Sequence, residues 1–144
     1  MKKSLLAVGA AGLMFIAWSV GRVQGQQDMA KVIFVSADHA TFQETTKGVS
    51  GATIWGDPTK GAHASFTKFA AGYDAGMHTH TNEVSIVVIK GAYLYKDDAG
   101  EKRVGAGSFL RVPGGHKHWS GGDPKEGALF YEESPGKFDL IPAK

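Results

Sequence analysis

"GMHTHTNEVSIVVIKG", residues Gly76 to Gly91, places two histidines two apart, then a glutamate, then an apolar run. On an extended chain, side chains i and i+2 point to the same face. His78 and His80 can therefore aim at one point. A second pair, His116 and His118, follows the turn Pro113-Gly114-Gly115 and obeys the same rule. Two ring nitrogens from one strand and a third from a neighbour make a facial set with open coordination positions. Such a set suits one divalent transition metal ion, whether iron, zinc, manganese or nickel. The competing reading is of surface histidines in loop-rich sequence, and for a lone histidine that is the ordinary one. Two His-x-His pairs weigh toward the metal.

Outward from this stretch, short β-rich runs alternate with turn formers. The predicted strands are KVIFVS (31–36), VSGATIW (49–55), ASFTKFA (64–70), VSIVVIK (84–90), AYLYKD (92–97), SFLRV (108–112), HKHWS (116–120), GALFYEE (127–133) and KFDLI (137–141). Between them lie turns such as GDP at 56–58, DDAGE at 97–101 and GGDP at 121–124. No amphipathic helical period and no fixed repeat follows the first 25 residues. Many short strands without helices between them predict an all-β barrel or sandwich. Val84 to Ile89 is apolar on both faces, so it should be covered on both sides, by a second layer or by a subunit contact.

The chain of 144 residues suits one domain. Its start, MKKSLLAVGAAGLMFIAWSVGRVQGQQ, has a basic head at Lys2 and Lys3, an apolar stretch from Leu5 to Val20, and small residues at Val23 and Gly25. That is the layout of a secretory signal helix, with residues 1–25 as signal peptide and 26–144 as the domain. The apolar stretch is short for a bilayer span, which needs about 20 residues. The expectation is a periplasmic or secreted protein with no stable membrane span after cleavage. Without residues 1–25 the basic count falls from 16 to 13, against 14 acids. No basic surplus then draws the domain to nucleic acid. Cysteine is absent, which excludes thiolate metal sites, cysteine nucleophiles and iron–sulfur clusters. Gly105 and Gly107 precede a strand, not a helix, so no dinucleotide loop is indicated.

The histidines sit inside two longer patterns. The first runs Gly72, five residues, His78, Thr79, His80, and on to Gly91. The second runs Gly107, five residues, Pro113, Gly114, Gly115, two residues, His118. In both the sequence resembles the cupin superfamily (RmlC-like). It is similar in particular to small single-domain cupins related to the metal-binding anti-sigma-factor cupins, through IWGDPTKGAHASFTKFAAG (54–72) and GKFDLIP (136–142). The resemblance implies a single jelly-roll-like cupin β-barrel of six to eight strands, often a homodimer. It also implies a metal held by His78, His80 and His118, and a small-molecule ligand or substrate.

One position departs from the pattern. Counting from His80, or back from Gly91, puts the cupin glutamate ligand at Val84, not Glu83. One residue along a strand reverses the face. Glu83 should therefore point outward unless a bulge re-aims it. Glu83 and His116 stay open as alternative ligands or as partners of the ligands. His63 is expected to pack or to lie at the surface, with a place at the cavity mouth as the alternative, and His39 lies in a polar loop. Trp55, Phe66, Phe69, Phe109, Trp119 and Phe130 are expected to line the barrel. Tyr93, Tyr95 and Tyr131 are candidates to donate a hydrogen bond into a pocket, Tyr131 the best placed of them. Beside it, one of Glu132 and Glu133 must face inward if the strand is regular. The function expected is that of an exported metal-binding cupin. Either it is a metal-dependent enzyme, dioxygenase-like or lyase-like, on a small chelating molecule, or it is a non-catalytic metal or small-ligand sensor.

Overall fold

The computed structural model describes residues 31–144, so the expected signal helix lies outside the described residues. Ten strands follow: β1 (Gln43–Thr46), β2 (Val49–Gly56), β3 (His63–Phe69), β4 (Asp74–Thr79), β5 (Val84–Asp97), β6 (Gly100–Gly105), β7 (Phe109–Val112), β8 (His118–Gly122), β9 (Ala128–Ser134) and β10 (Ile141–Pro142). No helix interrupts them among the described residues. All pairings are antiparallel, and the sheet runs in the order β1-β2-β3-β9-β5-β8-β4-β10, with β6 and β7 also on β5. The all-β cupin barrel is thus present.

β5 is the spine. The sequence predicts two strands either side of Gly91, and the structure has one strand of 14 residues. Its first half pairs with β7 and β9, and its second half with β6 and β8. Gly91, at φ 68°, turns the strand from one half of the sheet to the other, and a Cβ there would stand 2.3 Å from the Gly127 carbonyl oxygen. Only glycine fits such a corner. Val84, Ile86, Val88, Tyr93, Val112 and Phe130 form the core on the concave side. Fully burying one such side chain is worth about 1.5–3 kcal/mol.

Several expectations need correction. KVIFVS (31–36) pairs with nothing and stays solvent-exposed, with Val32 98% and Phe34 89% exposed. β-Propensity alone makes no strand without a neighbour to receive its hydrogen bonds. β1, β4 and β6 form where glycine and polar residues hid them. KFDLI is mostly irregular and pairs with β4 only through Ile141 and Pro142. Of the six aromatics expected inside, Phe69 and Phe130 are. Phe109 is 64% exposed, and Phe66 meets Tyr131 edge-on outside, ring centres 6.4 Å apart. Tyr131 points away from the cavity and donates to Glu133. Val87 faces out opposite Phe109 and Tyr131, so within one chain no second layer covers that side of β5, which leaves the subunit contact of the two expected covers.

Candidate metal centre

His78 lies near the end of β4, and His118 opens β8. The two are directly opposite in the antiparallel register. Side chains so paired are close neighbours on one face. His80 follows two residues after His78, just past the strand end, and keeps the same face. The ring centres of His78 and His118 are 4.3 Å apart, those of His78 and His80 4.9 Å, and those of His80 and His118 5.3 Å. One ring nitrogen from each lies within 4.8 Å of the other two. All three histidines are buried, at 1%, 7% and 0% exposure.

The tautomers follow from the hydrogen bonds. Nδ1 of His78 meets the Gly76 carbonyl at 2.8 Å, and Nδ1 of His118 meets the His116 carbonyl at 2.9 Å. Nδ1 of His80 meets the Asp139 carbonyl. A carbonyl only accepts, so each Nδ1 carries the proton and donates it. Each Nε2 is then left as a bare lone pair. Burial holds all three rings below the usual histidine range, against the opposing pull of those carbonyls. The rings are neutral near pH 7, the form that ligates metals.

Local structure aims each ring. Gly76, at φ 71°, forms a bulge in β4 between Asp74 and Met77. The Asp74 carboxylate pins that bulge by accepting from the Gly76 N–H at 2.7 Å and the Trp119 indole at 2.6 Å. The bulge turns the Gly76 carbonyl toward His78. On the other side, the C-terminal segment crosses over His80. The Asp139 carboxylate accepts from the Thr81 N–H and hydroxyl, which brings the Asp139 carbonyl onto Nδ1 of His80. Phe138 packs its ring 5.3 Å from that of His80, and Tyr95 stacks on His118 at 5.4 Å. Sequence reasoning missed Gly76, Phe138 and Asp139, and offered Tyr95 only as a pocket hydrogen-bond donor. Two of them act through main-chain oxygens, which leave no mark on residue type.

The other sequence candidates lie elsewhere. Glu83 points to the outer face, where Arg111 donates to it through Nε and Nη2. Its neighbour Val84 is 3% exposed and lines the cavity. His116 is not one of the converging three: its ring lies nearly parallel to that of His118 with centres 6.5 Å apart, and its Nε2 meets Asp97 at 3.1 Å. That contact, followed by the Tyr95 hydroxyl bond, holds the Asp97 carboxyl below its usual range. His63 is fully buried, but at the far end of β3 with no other histidine or carboxylate joined to it in a cluster.

The residues present fit a metal. Nε2 of His118 is buried and has no hydrogen-bond partner among the described residues. A buried nitrogen acceptor left unpaired costs roughly 1–3 kcal/mol, a cost that coordination removes. The three nitrogens face a cavity of about 1020 Å³, lined also by Ser65, Thr67, Tyr93, Ser120 and Glu132.

The ChrR cupin-like domain model matches residues 30–135, most of the chain. This chain is a ChrR cupin-like domain protein. Solved structures agree on the cupin fold. The polyketide cyclase RemF from Streptomyces resistomycificus is 15% identical with a TM-score of 0.64, over 79% of this chain and 87% of that one. KdgF from a Halomonas species is 19% identical with a TM-score of 0.59, over 71% and 94%. The anti-sigma factor ChrR, in complex with SigE of Rhodobacter sphaeroides, is 18% identical with a TM-score of 0.56, over 69% and 50%. A search of curated protein sequences gives no match. Identities this low extend the cupin likeness to architecture and not to reaction.

Proposed function

We propose that this cupin binds one divalent transition metal through Nε2 of His78, His80 and His118, and uses it to process a small chelating molecule. The observation that carries the reading is the common tautomer. Three carbonyls accept from the Nδ1–H groups, so three lone pairs are left to face one point inside the cavity. Bound there, the metal supplies Lewis acidity and vacant positions for substrate oxygens, as iron oxygenation or carbon–carbon cleavage requires. The chain's part is positional. Tyr95 and Phe138 fix two of the rings, and the apolar walls around Val84, Ile86 and Val112 hold water back from the ligand. The test is elemental analysis of protein purified without added metal, followed by oxygen uptake and turnover on a panel of small chelators. One equivalent of metal and turnover are expected. A protein that binds no first-row metal overturns the reading.

A second reading has its own support. The matching family takes its description from ChrR, which is an anti-sigma factor in the complex with SigE. On that reading the same site senses metal or a small ligand without turnover. Zinc content with no activity across the panel would favour it.

Residues 1–25 support export to the periplasm or beyond, and a cut near Gly25 in the N-terminal sequence of the mature protein is expected. A homodimer is supported by the bare outer face. Val87 and Phe109 are exposed there, and the unpaired Val32 and Phe34 are exposed as well. Light scattering should return twice the chain mass; the mass of one chain would overturn the homodimer.

A further inference from the structure

The cavity that holds the three histidines also holds a carboxyl group that none of them uses. Glu132 lies on β9, between the inward-facing Phe130 and Ser134. Its cross-strand neighbours are Ser65 on β3 and Ile86 on β5, both on the cavity wall. The next residue, Glu133, faces out with Tyr131. Glu132 is half-buried, lines the cavity and is desolvated by the residues packed around it. No lysine, arginine or hydrogen-bond donor among the described residues holds its charge. Burial, acting alone, pushes the carboxyl up to about 7. A chain seldom keeps a carboxyl in apolar surroundings without a partner, because the ionised form loses several kcal/mol of hydration there. Here no side chain among the described residues partners the group, and it opens onto the cavity. Tyr93 and Ser120 line the same cavity, with Ser120 two residues along β8 from His118.

We propose that Glu132 is the proton acceptor for a neutral, hydroxyl-bearing chelator, such as an enediol, hydroxyketone or hydroxamic acid, that enters the cavity and binds at the three-histidine centre. This rests on the metal reading above and names its substrate class. The balance is simple. The O–H bond of the incoming ligand breaks, and its oxygen keeps the electron pair. The proton forms a new O–H bond on the Glu132 carboxylate. The buried charge is the same before and after, since one anion replaces another. That equality favours the exchange in a low-dielectric cavity, where net charge is expensive. It also sets a selectivity. A ligand that arrives already ionised, such as a dicarboxylate, is drawn by the metal's charge but is repelled by the Glu132 carboxylate, a repulsion that proton transfer removes for the neutral acid. Glu132 therefore shifts selectivity toward the neutral acid, and the same group stands ready to return the proton in a later step.

The experiment uses the full mature chain loaded with zinc, and the variant Glu132→Gln, which keeps the shape and removes the base. Acetohydroxamic acid is the neutral probe and oxalate the anionic one. At about pH 8, calorimetry in buffers of different ionisation enthalpy counts protons released on binding. Wild type should release close to none with acetohydroxamic acid, and Glu132→Gln close to one. The variant should bind that probe roughly tenfold more weakly, the equivalent of one unit of proton affinity. Oxalate should bind the variant at least as tightly as wild type. Infrared difference spectra should show a protonated carboxyl appearing on hydroxamic acid binding in wild type and not in the variant. Equal proton release and an unchanged ratio of probe affinities, in two proteins that both hold one zinc, would overturn the role of Glu132 alone. A wild type that takes up no zinc would overturn the metal reading and this assignment with it.

Discussion

Two buried histidines, His118 at the start of β8 and His63 at the start of β3, share one local construction. Each is fully buried, and each places Nδ1 against the carbonyl two residues before it, at 2.9 Å in both. Each leaves an Nε2 with no hydrogen-bond partner among the described residues. From there they diverge. His118 stands opposite His78 in the ladder, and His80 closes the third side. His63 stands between Gly56 and Ser134 and takes a second carbonyl, that of Gly136, at 3.1 Å. The turn-and-strand lock therefore aims a ring and fixes its tautomer, but it does not make a site. Convergence from separate strands makes one, and only the sheet register provides it.

The largest expected effect separates the two directly. His118→Ala should lower the bound metal from one equivalent to nearly none, and His78→Ala and His80→Ala should do the same. His63→Ala should keep the full equivalent. Elemental analysis of the four proteins decides it. Metal lost from the His63 variant, or kept in the His118 variant, breaks the comparison. His63 carries stability instead. Removing its ring leaves a cavity and two carbonyls short of a donor, which should cost about 2–4 kcal/mol by denaturant titration of the metal-free protein. A cost near zero would mean that β3 tolerates loss of the Gly61–His63–Gly136 contact, and that the lock is incidental there.

The same comparison explains how far the sequence could be read. The cupin barrel and the three converging rings were legible because both depend on spacing. His-x-His fixes a face, and the two glycine-bounded patterns bring the faces together. His63 carries the lock without any spacing signal, and sequence alone left it undecided between packing and surface. What was missed depends on long-range register or on the main chain. β4 carries His78 and was not predicted as a strand, because Asp74, Ala75 and Gly76 have little strand propensity; it forms by pairing with β8. The Asp139 carbonyl reaches His80 across a separation of 59 residues. Tyr131 was the tempting cavity residue and Glu132 the real one, a one-position ambiguity that only the strand phase resolves.

A smaller effect tests whether the third ring is held as firmly as the other two. The carbonyls that orient His78 and His118 belong to the residues two before them, whereas that of His80 comes from the C-terminal segment. Asp139→Ala keeps the carbonyl but removes the carboxylate that ties the segment to Thr81. Zinc affinity should fall about tenfold while a full equivalent still binds at saturation, since partners of metal ligands are typically worth 10–100-fold. Competition with a chromophoric chelator measures it. Unchanged affinity would show that Phe138 and the ring's own burial suffice to hold His80.

The smallest effect expected is at Glu83, and it is informative because it is small. Glu83 lies one residue before the cavity-lining Val84, at the edge of the pattern that supplies two of the three rings. If strand phase governs the site, Glu83→Ala should leave metal content at one equivalent, because the side chain faces Arg111 on the outer surface. The pair is exposed, so solvent screens it, and the melting point should move by less than about 3 °C. Val84→Glu makes the reciprocal change and puts a carboxylate on the inner face beside the histidines. That variant should bind metal more tightly, since an anionic fourth ligand offsets part of the cation's charge. Metal lost on removing Glu83, with no gain from a glutamate at 84, would mean that β5 begins one residue out of phase, and that the convergence drawn above for His80 is wrong as well.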